Sequence, residues 1–132
     1  MKKVLIVDDD FLIRQLLSLI LRSAGYSVLE AENGKDALEK LSSDSIDTVI
    51  TDLRMPQMDG IELTRAIRMN PAYEDVPVIM LTSDFRGYKE IEGDQAGVTD
   101  WISKPFIPQQ LIQTISKFQS QRQAGELVCN QA

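Results

Sequence analysis

Short, unbroken apolar runs alternate along this chain with longer stretches in which apolar residues recur every three or four positions. The runs are Val4-Leu5-Ile6-Val7, Ser27-Val28-Leu29-Glu30-Ala31, Thr48-Val49-Ile50-Thr51, Val78-Ile79-Met80-Leu81 and Trp101-Ile102-Ser103. Segments this short, most of them rich in β-branched side chains, predict strands, and the periodic stretches between them predict amphipathic helices. Leu12, Ile13, Leu16, Leu17, Ile20 and Ala24 form the first helical stripe, stopped by Gly25. Asn33-Gly34 is a turn signal, after which Ala37, Leu38 and Leu41 mark a short helix. Ile61, Leu63, Ala66 and Ile67 mark a third, ended by Asn70-Pro71. Pro77 opens the fourth strand, a position where proline is tolerated. Between Ser83 and Gly97 the helix signal is poor, because Gly87 and Gly93 each cost about 1 kcal/mol relative to alanine. Leu111, Ile112, Ile115 and Phe118 stripe a last helix. Periodicity then fades, so residues 121–132 are expected to form a frayed tail on a single domain of residues 1–120.

Strands that are apolar on both sides must be covered on both faces, which predicts a parallel sheet sandwiched between helices. Right-handed crossovers leave few ways to wind five such units. The expected architecture is α/β, a doubly wound five-stranded parallel sheet in the order 2-1-3-4-5. In that order the first and third strands are neighbours at the topological switch point, where ligands tend to bind.

What stands at the strand ends then matters. The first run stops in Asp8-Asp9-Asp10, the third in Asp52, the fourth in Thr82-Ser83 and the fifth in Lys104-Pro105. Adjacent strands lie about 4.8 Å apart, so Asp8 or Asp9 can share an ion with Asp52. Crowded carboxylates need a cation or a proton, and magnesium takes hard oxygen ligands while keeping room for water and phosphate. Asp52 is then a plausible nucleophile toward phosphorus. Lys104 can offset charge on the transferring group, and the Thr82 hydroxyl can donate to one of its oxygens. Composition removes the alternatives. The chain has no histidine and one cysteine, Cys129, which excludes histidine-based triads and an ordinary zinc site. A net charge of −6 disfavours non-specific attraction to nucleic acid or anionic lipid. No apolar stretch is long enough to span a bilayer, and Met1-Lys2-Lys3 leads into a strand with no secretion signal. One cysteine allows no intrachain disulfide, so a reducing cytoplasm is the expected location.

The motifs Val-Asp-Asp (7–9), Asp-Leu-Arg-Met-Pro-Gln-Met-Asp-Gly (52–60), Leu-Thr-Ser (81–83) and Lys-Pro-Phe (104–106) stand in this order between Lys3 and about Lys117. Together they resemble the response-regulator receiver domain of bacterial two-component signalling, and are similar to its single-domain chemotaxis members. That resemblance implies a flavodoxin-like three-layer (βα)5 fold and a phosphorylation-activated switch rather than an enzyme with an outside substrate. By the resemblance, Asp52 is the phospho-acceptor. Asp8, Asp9, Asp52 and the backbone carbonyl of Arg54 hold Mg2+, or Mn2+ in its place. Thr82 is the switch hydroxyl and Lys104 the phosphate-pairing lysine, its bond to Pro105 expected to be cis. Trp101 falls where the family usually has tyrosine or phenylalanine as a rotamer switch, a departure that bulk alone could turn into a fixed side chain. Arg54 and Asp84, two places after Asp52 and Thr82, resemble positions that tune phosphoryl lifetime. The implied donor is a separate histidine kinase or histidine phosphotransfer protein. The implied output is a protein met through the last two helices and the fifth strand. Direct nucleic-acid binding and membrane binding are not expected.

Blander roles stand beside these. Asp10 reads as a helix cap, Asp59-Gly60 as turn chemistry, and Cys129 as inert. A small magnesium-dependent phosphohydrolase, a flavin-binding module on the same fold and a degenerate scaffold remain as other readings. The first is disfavoured because Arg54 stands where such hydrolases commonly carry a second acid. The second is disfavoured because no glycine- or hydroxyl-rich loop follows the first strand.

Overall fold

The computed structural model describes residues 2–83 and 87–131, with side chains described throughout except at 87–88 and 120–131. Five strands, β1 (Lys3–Val7), β2 (Ser27–Ala31), β3 (Thr48–Asp52), β4 (Val78–Thr82) and β5 (Asp100–Ser103), alternate with five helices. The helices are α1 (Phe11–Ser23), α2 (Gly34–Ser43), α3 (Gly60–Arg68), α4 (Gly87–Ala96) and α5 (Pro108–Gln131), with a 3-10 turn at Pro71–Tyr73. The strands form one parallel sheet in the order β2-β1-β3-β4-β5, the order the alternation predicts. The Lys104–Pro105 peptide is cis.

Because side chains alternate across a strand, each strand feeds two cores. Leu5, Val7, Val49 and Val78 face α2 and α3, where Ala37, Leu41, Leu63 and Ile67 meet them. Val4, Ile6, Ile50, Ile79 and Ile102 face α1 and α5, against Leu17, Leu21, Leu111 and Ile115. A third, smaller cluster of Leu53, Ile61, Met80, Ala96 and Val98 lies toward α4, with Trp101 packed against it. No helix among the described residues is long and apolar enough to cross a membrane.

The local signals work, though not always as turns. Asn33 caps α2 with its side-chain oxygen accepting from the Asp36 N–H at 2.8 Å, so Asn33-Gly34 starts a helix rather than a turn. Asp59 caps α3 in a reciprocal box with Glu62, and the expected Asp59-Gly60 turn is a helix start as well. Both outcomes have one cause: a short polar side chain that stabilises a turn also satisfies the free N–H groups of a helix end.

Two sequence expectations need correction. On α1 the residues that enter the core are Leu17, Ser18 and Leu21, whereas Leu12 and Leu16 of the expected stripe are 74% and 46% exposed. This helix carries apolar residues over more than half its circumference, and a flat sheet can cover only one arc. The last helix also continues past Phe118, through the stretch from Gln121 expected to fray. Glutamine, arginine, alanine, glutamate and leucine in that stretch are all good helix formers, which favours helix even where the apolar stripe has ended. At its start β3 is tied to this helix by Gln119, whose side-chain amide donates to the Asp47 carbonyl at 2.6 Å and to the Thr48 hydroxyl.

Candidate functional site

The carboxyl ends of β1, β3, β4 and β5 open onto one edge of the sheet, and the chemistry-bearing residues gather there. Asp52 is the last residue of β3, and Asp8 follows β1 directly, its backbone N–H donating to the Ala31 carbonyl at 3.2 Å. Carboxylate oxygens of Asp8, Asp9 and Asp52 all lie within 4.8 Å of one another. Asp8 is 2% exposed and held from two sides. Its Oδ1 accepts from the Asp10 N–H at 2.9 Å, while Arg14 Nη1 donates to its backbone carbonyl at 2.6 Å. Asp10 stays out of the cluster and caps α1, accepting from the Leu12 N–H at 2.9 Å. The part played by Arg14 was not foreseen. Its only signal in the sequence is a basic residue one helical turn beyond Asp10.

Lys104, arriving just after β5, places its Nζ 3.3 Å from Asp8 Oδ2 and 3.3 Å from Asp52 Oδ1. Burial pushes the Asp52 carboxyl above the usual carboxylate value; the Lys104 charge opposes that shift and the Asp8 charge adds to it. Burial raises Asp8 too, against the Asp10 N–H and the Lys104 ammonium. Three carboxylates against one ammonium leave two negative charges in excess when all are ionised. Hard oxygen donors with surplus negative charge, and no thiolate or imidazole among them, fit a small divalent cation such as magnesium.

Thr82 ends β4, 2% exposed, one residue beyond Leu81, which stands opposite Asp52 in the register. Arg54 lies at the mouth, where it lines a cleft of about 470 Å³ with residues of the β3–α3 loop, the start of α3 and Lys89 of α4. Its expected companion, Asp84, lies outside the described residues. Trp101 is half-buried on the α4 side of β5, its indole Nε1–H donating to Asp94 Oδ1 at 3.1 Å. Gly60, read from the sequence only as part of a turn, has a second role. A Cβ at that position would stand 2.4 Å from the Asp52 carbonyl oxygen and 2.6 Å from Met80 Sδ. Only a bare α-carbon lets the start of α3 close on the acidic strand end, where the Gly60 N–H donates to the Leu53 carbonyl at 2.8 Å.

The family described as the response regulator receiver domain matches residues 4–116. The chain belongs to that family. Among its relatives, the receiver domain is 40% identical over 116 residues to the chemotaxis protein CheY of Pseudomonas aeruginosa, covering 87% of this chain and 94% of that protein. It is 41% identical over 110 residues to the transcriptional regulatory protein ResD of Bacillus subtilis, covering 83% of this chain but 45% of ResD. The chain thus spans about half the length of such transcriptional relatives. Among solved structures, the chemotaxis protein CheY4 of Vibrio cholerae superposes with a TM-score of 0.87 at 42% identity, covering 89% of this chain and 98% of that one. The fold and the family read from the strand ends therefore hold.

Proposed function

We propose that Asp52 of this receiver domain accepts a phosphoryl group from a phosphohistidine on a separate histidine kinase or phosphotransfer protein. The single observation that carries the reading is Lys104 Nζ lying 3.3 Å from both Asp52 and Asp8, an ammonium set beside a nucleophile within an acidic cluster. An Asp52 oxygen forms the new P–O bond while the P–N bond to the donor breaks, and its electron pair leaves with the imidazole. Lys104 neutralises charge on the arriving group, and the Thr82 hydroxyl donates to one of its oxygens. Asp8, Asp9, Asp52 and the Arg54 backbone carbonyl are the residues that would hold Mg2+ or Mn2+. That ion would supply charge neutralisation on the transferring oxygens.

The acyl phosphate adds a charge of about −1.5 to −2 at the edge of the sheet, which draws Thr82 and Lys104 toward it. The result is a changed protein-interaction surface over α4, β5 and α5, read by an output protein and not by nucleic acid. The domain turns over no outside substrate and catalyses only its own phosphorylation and dephosphorylation. A chain with one cysteine and no possible internal disulfide suits the cytoplasm. The donor's approach has a surface to use: Leu12, Leu16 and Leu19, 74%, 46% and 66% exposed, run down α1 from the acidic edge.

The test is intact-mass analysis after incubation with acetyl phosphate and Mg2+, with Asp52→Asn as control. One phosphoryl mass is expected on the native chain and none on the variant. Equal uptake by both would refute the assignment.

A further inference from the structure

The edge strand β2 lends no member of the acidic cluster, yet it reaches the site through α1. Asp8 stands where β1 leaves its pairing with β3, which ends at Val7 and Thr51. Its N–H is still tied to the Ala31 carbonyl of β2 at 3.2 Å. Its own carbonyl lies past the ladder and accepts from Arg14 Nη1 at 2.6 Å. Nε of the same guanidinium lies 3.4 Å from Oε1 of Glu30, the residue before Ala31. Gln15 Nε2 donates to that oxygen at 3.2 Å, so two residues of α1 hold one carboxylate of β2. The Phe11 ring stands 5.6 Å from the guanidinium carbon, and the Arg14 side chain is only 12% exposed. A planar fork of fixed donors suits this double contact in a way that a lysine ammonium does not.

We propose that Arg14, anchored by Glu30, is a positioning residue for the divalent-cation site. It fixes the backbone at Asp8 so that the carboxylates of Asp8 and Asp9 converge with Asp52. The inference rests on the acidic edge being that cation site. Three ties hold Asp8: its N–H to Ala31, its carbonyl to Arg14, and Oδ1, which accepts from the Asp10 N–H at 2.9 Å. Oδ2 is left facing Lys104 and the cluster. Without Arg14, the Asp8 carbonyl loses its donor, and the peptide unit between Asp8 and Asp9 is free to turn toward water. Turning that unit swings the exposed Asp9 carboxylate away from its partners. Arg14 is also a cation beside a site for cations, so by charge alone its removal would tighten binding. The two effects have opposite signs. Positioning wins because Glu30 already balances the Arg14 charge, leaving the directed hydrogen bond as the main effect.

The test is calorimetric titration of Mg2+ into the full chain, with no phosphodonor present. Arg14→Ala is expected to weaken binding about tenfold, as loss of a group that orients metal ligands does. Affinity that rises, or stays within about twofold of native, would overturn the proposal. Arg14→Lys, which can meet the carbonyl or Glu30 but not both through one fork, should fall between the two. If Arg14→Ala does not fold, full native affinity in Arg14→Lys would overturn the proposal by itself. In a Glu30→Gln background, Arg14→Ala should cost less than it does in the native chain; the same cost in both would overturn the anchoring by Glu30. Ile67→Ala, a core change in α3, should lower the melting temperature and leave Mg2+ affinity unchanged. An equal loss of affinity there would reduce Arg14 to general stability and overturn its positioning role. A native chain that binds no Mg2+ would overturn the brace together with the cation site. A native chain that binds Mg2+ but takes up no phosphoryl mass sinks the acceptor reading alone, and the Arg14 series still decides the brace.

Discussion

Helices α3 and α4 follow the third and fourth strands and touch each other, yet they are attached to the molecule by opposite means. Helix α3 buries Ile61, Leu63, Thr64 and Ile67, begins in a reciprocal capping box and ends near Arg68, whose guanidinium bonds the Tyr73 and Gly97 carbonyls. Among its described side chains, helix α4 buries a glycine and an alanine, and the Trp101 ring lies against that glycine. One element carries its own knobs, and the other supplies a hole. A helix of the first kind moves only if several buried contacts break at once. One of the second kind has fewer buried contacts of its own to lose, so its local opening is expected to cost less.

Substitutions can break or sharpen that contrast. The largest effect is expected from Ile67→Ala in α3, which deletes a buried side chain and should cost about 2–5 kcal/mol by denaturant unfolding. A loss below about 1 kcal/mol would mean that α3 is no better anchored than its neighbour. Asp59→Ala removes the cap next to the acidic edge and should cost about 0.5–2 kcal/mol, with a smaller midpoint shift in the same assay. Ile91→Ala on α4, where the side chain is 61% exposed, should change stability by no more than about 0.5 kcal/mol. A drop comparable to that at Ile67 would show that α4 has a buried face of its own.

The acidic edge gives a further test, through pH. Asp8 and Asp52 both have carboxyls raised above the ordinary value, chiefly by burial. The native state therefore holds protons that the unfolded chain has already lost, and stability falls as pH rises from about 3.8 through the raised values. At neutral pH and without metal, ionised Asp52 is a cost to the fold, so Asp52→Asn is expected to raise the melting temperature. The gain should shrink toward pH 4 and when Mg2+ is added to the native chain. A variant that melts lower than the native chain at pH 7 without metal would contradict this. A smaller effect concerns α1: Leu12→Arg should slow phosphorylation by a cognate kinase while leaving uptake from acetyl phosphate unchanged. Equal slowing with both donors would exclude a docking role for that row.

Much of this was written in local pattern. The apolar runs set the strands, and their order along the chain left so few windings that Asp8, Asp52, Thr82 and Lys104 had to meet at one edge. The cap at Asp10 was legible as a short polar residue, whereas Asn33-Gly34 and Asp59-Gly60 read as turns although they cap helices, because both structures use the same side-chain bonds. The face of α1 was misread because two apolar arcs compete on one helix, and only the sheet's position selects between them. Glycines 60 and 93 read only as a turn and as a weakness in a helix, with no sign of the close approach that each one allows. A missing side chain looks like weakness in a helix until the atom that fills its place is known.

By itself, the sequence determined the strand–helix alternation, the acids at the strand ends and the absence of any histidine to act as donor. Those depend on the periodicity and chemistry of neighbouring residues, which a linear chain displays. Tertiary structure alone decided that Lys104 spans two aspartates, that Arg14 braces Asp8 and that Trp101 lies on Gly93. Each of these joins residues whose separation in space is set by how the sheet twists and how closely a helix can approach it, and neither quantity has a local signature.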